Sequence, residues 1–177
     1  MHEESEALAI HDFVGLDATL DIVISALRSV AGPSLIGRLV CDAWQAERRA
    51  LDDAVPSDAG RPAGSPSAPR PVVILGRPRL RNEAVIIPLS WMSSPGPGPW
   101  LPPLDADLEI VAFGRRRTHL HVLGTSKLPP GQMPRSSEAS MSQRFTVALV
   151  RHVLNSLADE IRRPVPISDH PIVLAIA

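Results

Sequence analysis

The chain has 177 residues, within the range of one domain, and 44% of them are hydrophobic, enough for a sizeable core. With 18 basic and 19 acidic residues the formal net charge is -1, so no electrostatic pull favours nucleic acid or an anionic membrane. Aromatics make up 3% and tyrosine is missing, which argues against a stacking platform for single strands.

The first segment, residues 1–9, reads as frayed, and residues 10–16 read as a short strand. The acidic start Met1-His2-Glu3-Glu4 lacks a basic region followed by an apolar run, so no signal peptide is expected. Asp17 suits a helix N-cap, because its carboxylate can accept free amides of the first turn. The helix after it carries Leu20, Val23, Ile24, Leu27 and Val30 on one face, and Gly32-Pro33 ends it. Ser34 is expected to cap a second helix. There Ile36, Leu39, Val40, Ala43 and Trp44 repeat at steps of three and four, and the charged residues 47–53 should fray into water.

Cys41, the lone cysteine, can form neither an internal disulfide nor a Cys-based zinc site, which fits a cytoplasmic protein. It lies beside the apolar stripe and reads as a small hydrophobe, since no His or Lys at helical spacing lowers its pKa. Residues 55–71 are low in complexity, rich in Pro, Ser, Ala and Gly, and read as a mobile loop inside one domain spanning 1–177. The 19 prolines, about twice the ~5% average share, cluster in such loops.

Strands follow. Residues 71–76 contain Val72, Val73, Ile74 and Leu75. In residues 83–91 a period of two puts Val85, Ile87, Leu89 and Trp91 on one face. Pro88, on the other face, has no amide for a ladder and marks an edge or a bulge. The Arg79-Leu80-Arg81-Asn82 region is the expected turn between these strands. A Pro/Gly loop at 93–103 holds Trp100. Residues 107–113 and 118–125 form two more strands, joined through Gly114-Arg115-Arg116-Arg117, an ordinary hairpin length.

Residues 128–138 read as another loop. From Ser140 to Arg162, Val147, Val150, Leu154, Leu157 and Ile161 fall on one helical face, widened by Phe145, Leu149 and Val153. Arg144, Arg151, Asn155, Asp159 and Arg162 turn mostly to water. The tail 171–177, from Pro171 to Ala177, is apolar and β-branched, suited to a late strand or to contact with another subunit. No apolar run is long enough to span a bilayer.

This order of strand, two helices, four strands and a long helix resembles the helix-grip proteins of the START / Bet v 1 / polyketide cyclase (SRPBCC) superfamily. The stretches Val85 to Trp91, Pro103-Leu104-Asp105-Ala106-Asp107-Leu108-Glu109, Thr118-His119-Leu120-His121-Val122-Leu123-Gly124 and Pro129-Pro130-Gly131 are similar to uncharacterised actinobacterial members. The resemblance covers about residues 83–162. It implies an α+β fold, a curved antiparallel sheet wrapped around the long C-terminal helix, with an apolar cavity between them.

Few residues advertise chemistry. His119 and His121 share one face of a strand, opposite Leu120 and Val122, and read as solvated surface because no third ligand for a metal is evident. Asp105, Asp107 and Glu109 alternate at a hairpin entry and read as capping or turn residues, with Asp107 also able to face Arg115–Arg117. The three arginines read as a hairpin tip in water. Trp91 and Trp100 read first as core, and second as the mouth of a cavity, each with one indole donor for a bound molecule. His152 and Ser156 lie one turn apart on the long helix. No partner Asp or nucleophile elbow accompanies them, so no hydrolase is expected. Walker, dinucleotide and His-Glu-x-x-His motifs are absent from the sequence.

The reading these features support is an apolar small molecule, lipid or polyketide-like, held between sheet and C-terminal helix. Val85, Ile87, Leu89, Trp91, Leu108, Ile110, Leu120 and Val122 would form one wall, faced by Phe145, Leu149, His152 and Val153, with Trp100 at the mouth. The alternative is a non-catalytic interaction or assembly subunit with a solid interior, meeting a protein through the Pro-rich loops or the tail. No catalytic residue, metal or cofactor is assigned.

Overall fold

A computed structural model describes residues 7–30, 32–54, 68–95, 99–127 and 136–163. The elements run β1 (Ala7–Leu16), α1 (Leu20–Val30), α2 (Pro33–Ala54), β2 (Pro71–Leu75), β3 (Arg79–Arg81), β4 (Ala84–Ser93), β5 (Leu104–Ala112), β6 (Thr118–Lys127) and α3 (Ser136–Arg162). The six strands form one antiparallel sheet in the order β1-β6-β5-β4-β2, with β3 also paired to β4. The three helices lie on one face of the sheet: α3 against β1 and β6, α2 against β2, and α1 against β5. The fold class is therefore the expected one, a curved antiparallel sheet packed against a C-terminal helix.

Strand alternation drives this layering. In β1 the inward residues Ile10 and Leu16 are buried, while His11, Phe13 and Gly15 face out and are exposed. Leu120 and Val122 of β6 and Leu108 and Ile110 of β5 are likewise buried. Opposite them, α3 buries Leu149, Val150, Val153, Leu154, Leu157 and Ile161, and α2 buries Ile36, Leu39, Val40, Ala43 and Trp44. Each helix thus spends its apolar stripe on the sheet or on its neighbour helix. Ion pairs and a charge-assisted hydrogen bond tie the elements together at their rims. Arg151 of α3 reaches Asp12 of β1 at 2.8 Å, Arg162 donates to the Gly15 carbonyl at 2.9 Å, and Arg38 of α2 meets Glu160 of α3 at 3.3 Å. The arginines expected to turn to water do so, and two of them also clamp β1.

Several local expectations are corrected. Residues 7–9 belong to β1, paired with β6, and residues 136–138 belong to α3. Asp17 does not cap α1. The Thr19 carbonyl accepts from the Val23 amide at 3.1 Å, so Thr19 sits at the helix entry, and Asp17 pairs with Arg117 at 3.1 Å. Ser34 does not cap α2 either. Gly32 offers its carbonyl to the Ile36 amide at 3.1 Å and Pro33 takes the first helical position, where its missing amide costs nothing. The charged end of α2 stays helical to Ala54, with Arg48 and Asp52 paired at 3.6 Å one turn apart.

The region expected to be a turn, Arg79 to Asn82, is mostly strand β3. The turn is Asn82-Glu83, both with positive φ (48° and 66°), between the paired Arg81 and Ala84. Two central residues of this hand make a tight hairpin turn whose twist matches the strands. Pro88 accounts for the interruption between β2 and β3. Its carbonyl accepts from Gly76 at 2.7 Å on that edge, where the ring supplies no amide of its own. The low-complexity residues 55–67 and the tail 171–177 lie outside the described residues.

Candidate functional site

The inner face of the sheet is not filled everywhere. Toward β4 and β5 it leaves an apolar cleft of about 300 Å³. Its floor is Leu89 of β4 and Leu108 and Ile110 of β5, with Val85 and Ile87 half-buried beside them. Ile24, Leu27 and Arg28 of α1 and Ile36 of α2 form the opposite wall, and Leu75, Gly76 and Pro78 close the edge where β2 gives way to β3. The cleft exists because α3 lies over β1 and β6, so only α1, a shorter helix, is left to cover β5. Its lining is hydrocarbon apart from backbone and one guanidinium, that of Arg28.

The period-two reading of β4 is correct about direction: Val85, Ile87 and Leu89 all face this cleft. The helix opposite differs from the expectation, being α1 and not α3. Of the residues expected in the cavity wall, Val85, Ile87, Leu89, Leu108 and Ile110 line the cleft. Trp91, Leu120, Val122 and Leu149 are core residues at 4% exposure or less. The Trp91 indole donates to the Pro102 carbonyl at 3.0 Å, so its one donor is already taken. Trp100 is half-buried and its carbonyl accepts from the Trp44 indole at 3.0 Å, which pins this loop to α2. Phe145 is half-buried and packs against the core. The signal that could have found the α1 wall was present: Ile24 and Leu27 share the apolar face of the first helix, and such a face needs an apolar surface to meet.

His152 lies elsewhere, in a broad open groove of about 850 Å³ between α2 and the polar side of α3. Its Nδ1 is 3.5 Å from the Glu47 carboxylate, and Ser156 lines the same groove one turn on. An acid does accompany the pair, then, supplied by the end of α2 that was expected to fray.

The outer face carries a second constellation. His119 and His121 are outward and half-buried, as the opposite placement of Leu120 and Val122 requires. They stack with rings that strand pairing brings alongside: Phe113 on His119 at 4.6 Å between centroids, Phe13 on His119 at 5.7 Å and on His121 at 5.5 Å, and His11 on His121 at 6.0 Å. Phe13 is 57% and Phe113 61% exposed. Burial pushes the His121 imidazole pKa below its ordinary value, His119 and His11 push the same way, and Glu109 opposes them. Among the described residues no group of three or more His, Cys, Asp or Glu is placed to share a metal ion.

Asp105, Asp107 and Glu109 are not capping or turn residues: they lie within β5 on this outer face. Asp107 pairs with Arg79 at 3.7 Å, not with the arginine run. Cys41 is half-buried against the Pro69 carbonyl at 3.3 Å, and burial, helped by Asp42, raises its thiol pKa. That agrees with an unreactive packing role.

The fold and cleft together define a small α+β protein with an antiparallel sheet gripping a C-terminal helix. No family model and no curated protein matches the chain. Solved structures do. The Zhui aromatase/cyclase from Streptomyces sp. R1128 is 12% identical, with 89% of this chain and 95% of that one covered at a TM-score of 0.45. A conserved protein from Geobacillus kaustophilus is 9% identical over 86% and 96%, at 0.39. A norcoclaurine synthase point mutant from Thalictrum flavum is 12% identical over 85% and 99%, at 0.35. Among the described residues, no single helix is long and apolar enough to cross a membrane.

Proposed function

We propose that this protein is a helix-grip superfamily member that binds an apolar small molecule in the cleft between α1 and the β4–β5 face. The observation that carries this reading is a cleft of about 300 Å³ walled by Ile24, Leu27, Val85, Ile87 and Leu108. That volume stands at the small end of ligand pockets, ~300–1,000 Å³. Filling it would remove apolar surface from water at roughly 25 cal/mol per Å², less the cost of ordering the ligand. No catalytic role is assigned to any residue.

The test has two arms. Purified protein is extracted with organic solvent and the extract analysed by mass spectrometry, and the stripped protein is screened by thermal shift against lipids and polyketide-like aromatics. Binding raises the melting temperature as ligand exceeds its dissociation constant. Ile87→Trp, which fills the cleft from a half-buried position, removes the shift while the melt stays cooperative. A protein with no extracted ligand and no shift from any compound does not carry small molecules in this cleft.

A second reading, a non-catalytic interaction subunit, is favoured by the exposed rings of Phe13 and Phe113 on the outer face. On that reading, replacing both with serine abolishes a complex recovered by pull-down and leaves ligand shifts intact.

A further inference from the structure

We infer that the cleft selects an amphipathic molecule with a single anionic group, a carboxylate in the simplest case, paired with the guanidinium of Arg28. This rests on the cleft being a ligand site at all. Arg28 is the one charged residue in its lining, set in the last turn of α1 beside Ile24 and Leu27. It is exposed, and no carboxylate among the described residues pairs with it. Its surroundings explain why that matters. The methylene stem of an arginine lies against apolar surface while its head stays at the rim. There a carboxylate can take two parallel hydrogen bonds from the planar guanidinium.

Three other arginines of the helical layer are engaged, Arg151 by Asp12, Arg162 by Asp159 and Arg38 by Glu160, and none of these lines the cleft. Arg28 stands exposed in the lining of a cleft whose other side chains are all hydrocarbon. The volume limits the rest of the molecule. At the ~30 Å³ that a water takes in the liquid, about 300 Å³ admits roughly ten non-hydrogen atoms. An eight-carbon chain with a carboxylate head, or a one-ring aromatic acid, has that size.

The experiment compares octanoate, 1-octanol and octylammonium by calorimetric titration of the stripped wild-type protein and of Arg28→Gln, both checked by circular dichroism. Wild type is expected to bind octanoate about tenfold or more tighter than 1-octanol, the scale of one charge-assisted pair, and octylammonium most weakly. Arg28→Gln brings octanoate down to the 1-octanol affinity and leaves 1-octanol unchanged. Equal binding of octanoate and octanol to wild type, or an octanoate preference that survives Arg28→Gln, overturns the role of Arg28 and leaves the cleft standing as a site. If none of the three binds wild type, the cleft reading falls and the inference falls with it.

Discussion

Gly76 and Pro88 are locked together: the Gly76 amide donates to the Pro88 carbonyl at 2.7 Å, and a Cβ on Gly76 would stand 2.7 Å from the Pro88 Cβ. No real pair of such atoms comes that close, so a side chain at 76 must push the proline ring or bend the edge. Gly76→Ala is expected to cost about 1–3 kcal/mol, the range for overpacking. For a chain of this length that lowers the melting temperature by roughly 2–4 °C per kcal/mol. The double variant Gly76→Ala/Pro88→Gly should lose less than the sum of the two single losses, because glycine at 88 removes the Cβ, Cγ and Cδ that the new side chain would meet. A thermal-denaturation cycle over the two sites reads the coupling. Additive losses would mean that the contact does not hold this edge.

The β3–β4 turn contains a non-glycine residue where the backbone favours glycine. Glu83 has φ of 66°, and its side chain is exposed, so it gains nothing visible from that conformation. The left-handed region costs an L-residue roughly 1–2 kcal/mol. Glu83→Gly is expected to stabilise by about 1 kcal/mol, part of the gain being offset by the freer unfolded chain. Urea denaturation should show a higher midpoint with an unchanged slope.

Trp91 is 2% exposed and gives its indole proton to the Pro102 carbonyl, which is itself buried. Trp91→Phe keeps much of the apolar volume and leaves that carbonyl without its donor. A loss of about 1–3 kcal/mol is expected, the cost of an unmet buried polar group. Trp91→Leu should cost more, since volume is lost as well. Equilibrium denaturation followed by circular dichroism separates the two.

The histidine cluster gives stability a pH dependence of known sign. In the folded protein His121 titrates below 6.5, mainly through burial and then through His119 and His11, with Glu109 opposing. The unfolded chain titrates near 6.5. Above that value neither state is protonated at this site, and no effect arises. As pH falls through 6.5 toward the folded value, the unfolded chain binds more protons and gains relative to the folded one. Melting temperature should therefore decline from pH 7 to pH 5, and His121→Gln should make that decline shallower. Phe13, which packs on the same ring, should stay in place in that variant.

The contrast between sequence and structure follows from how far each signal reaches. Helical periodicity found the buried stripes of α2 and α3 because the sheet and the neighbouring helix take up the whole of each stripe. Strand alternation placed Leu120 and Val122 inward and His119 and His121 outward, since a step of two fixes a side in any strand. Helix caps were read less well: Asp17 and Ser34 have suitable chemistry, but Thr19 and the Gly32-Pro33 pair hold the positions where the chains turn. Strand β3 was hidden because three exposed residues, Arg79, Leu80 and Arg81, leave no apolar rhythm.

What the linear chain determined by itself was the order of the elements that carry an apolar rhythm and the inward side of each such stripe, because those depend on neighbours three, four or two positions away. What only the tertiary structure decided was which helix covers which strands. The long helix lies over β1 and β6, so Leu149 and Leu120 are both fully buried in the core, and Val85 and Ile87 are left facing α1 across a cleft. Helix placement is settled by the total packing of three helices on one sheet, a property shared over the whole chain and carried by no local stretch of it.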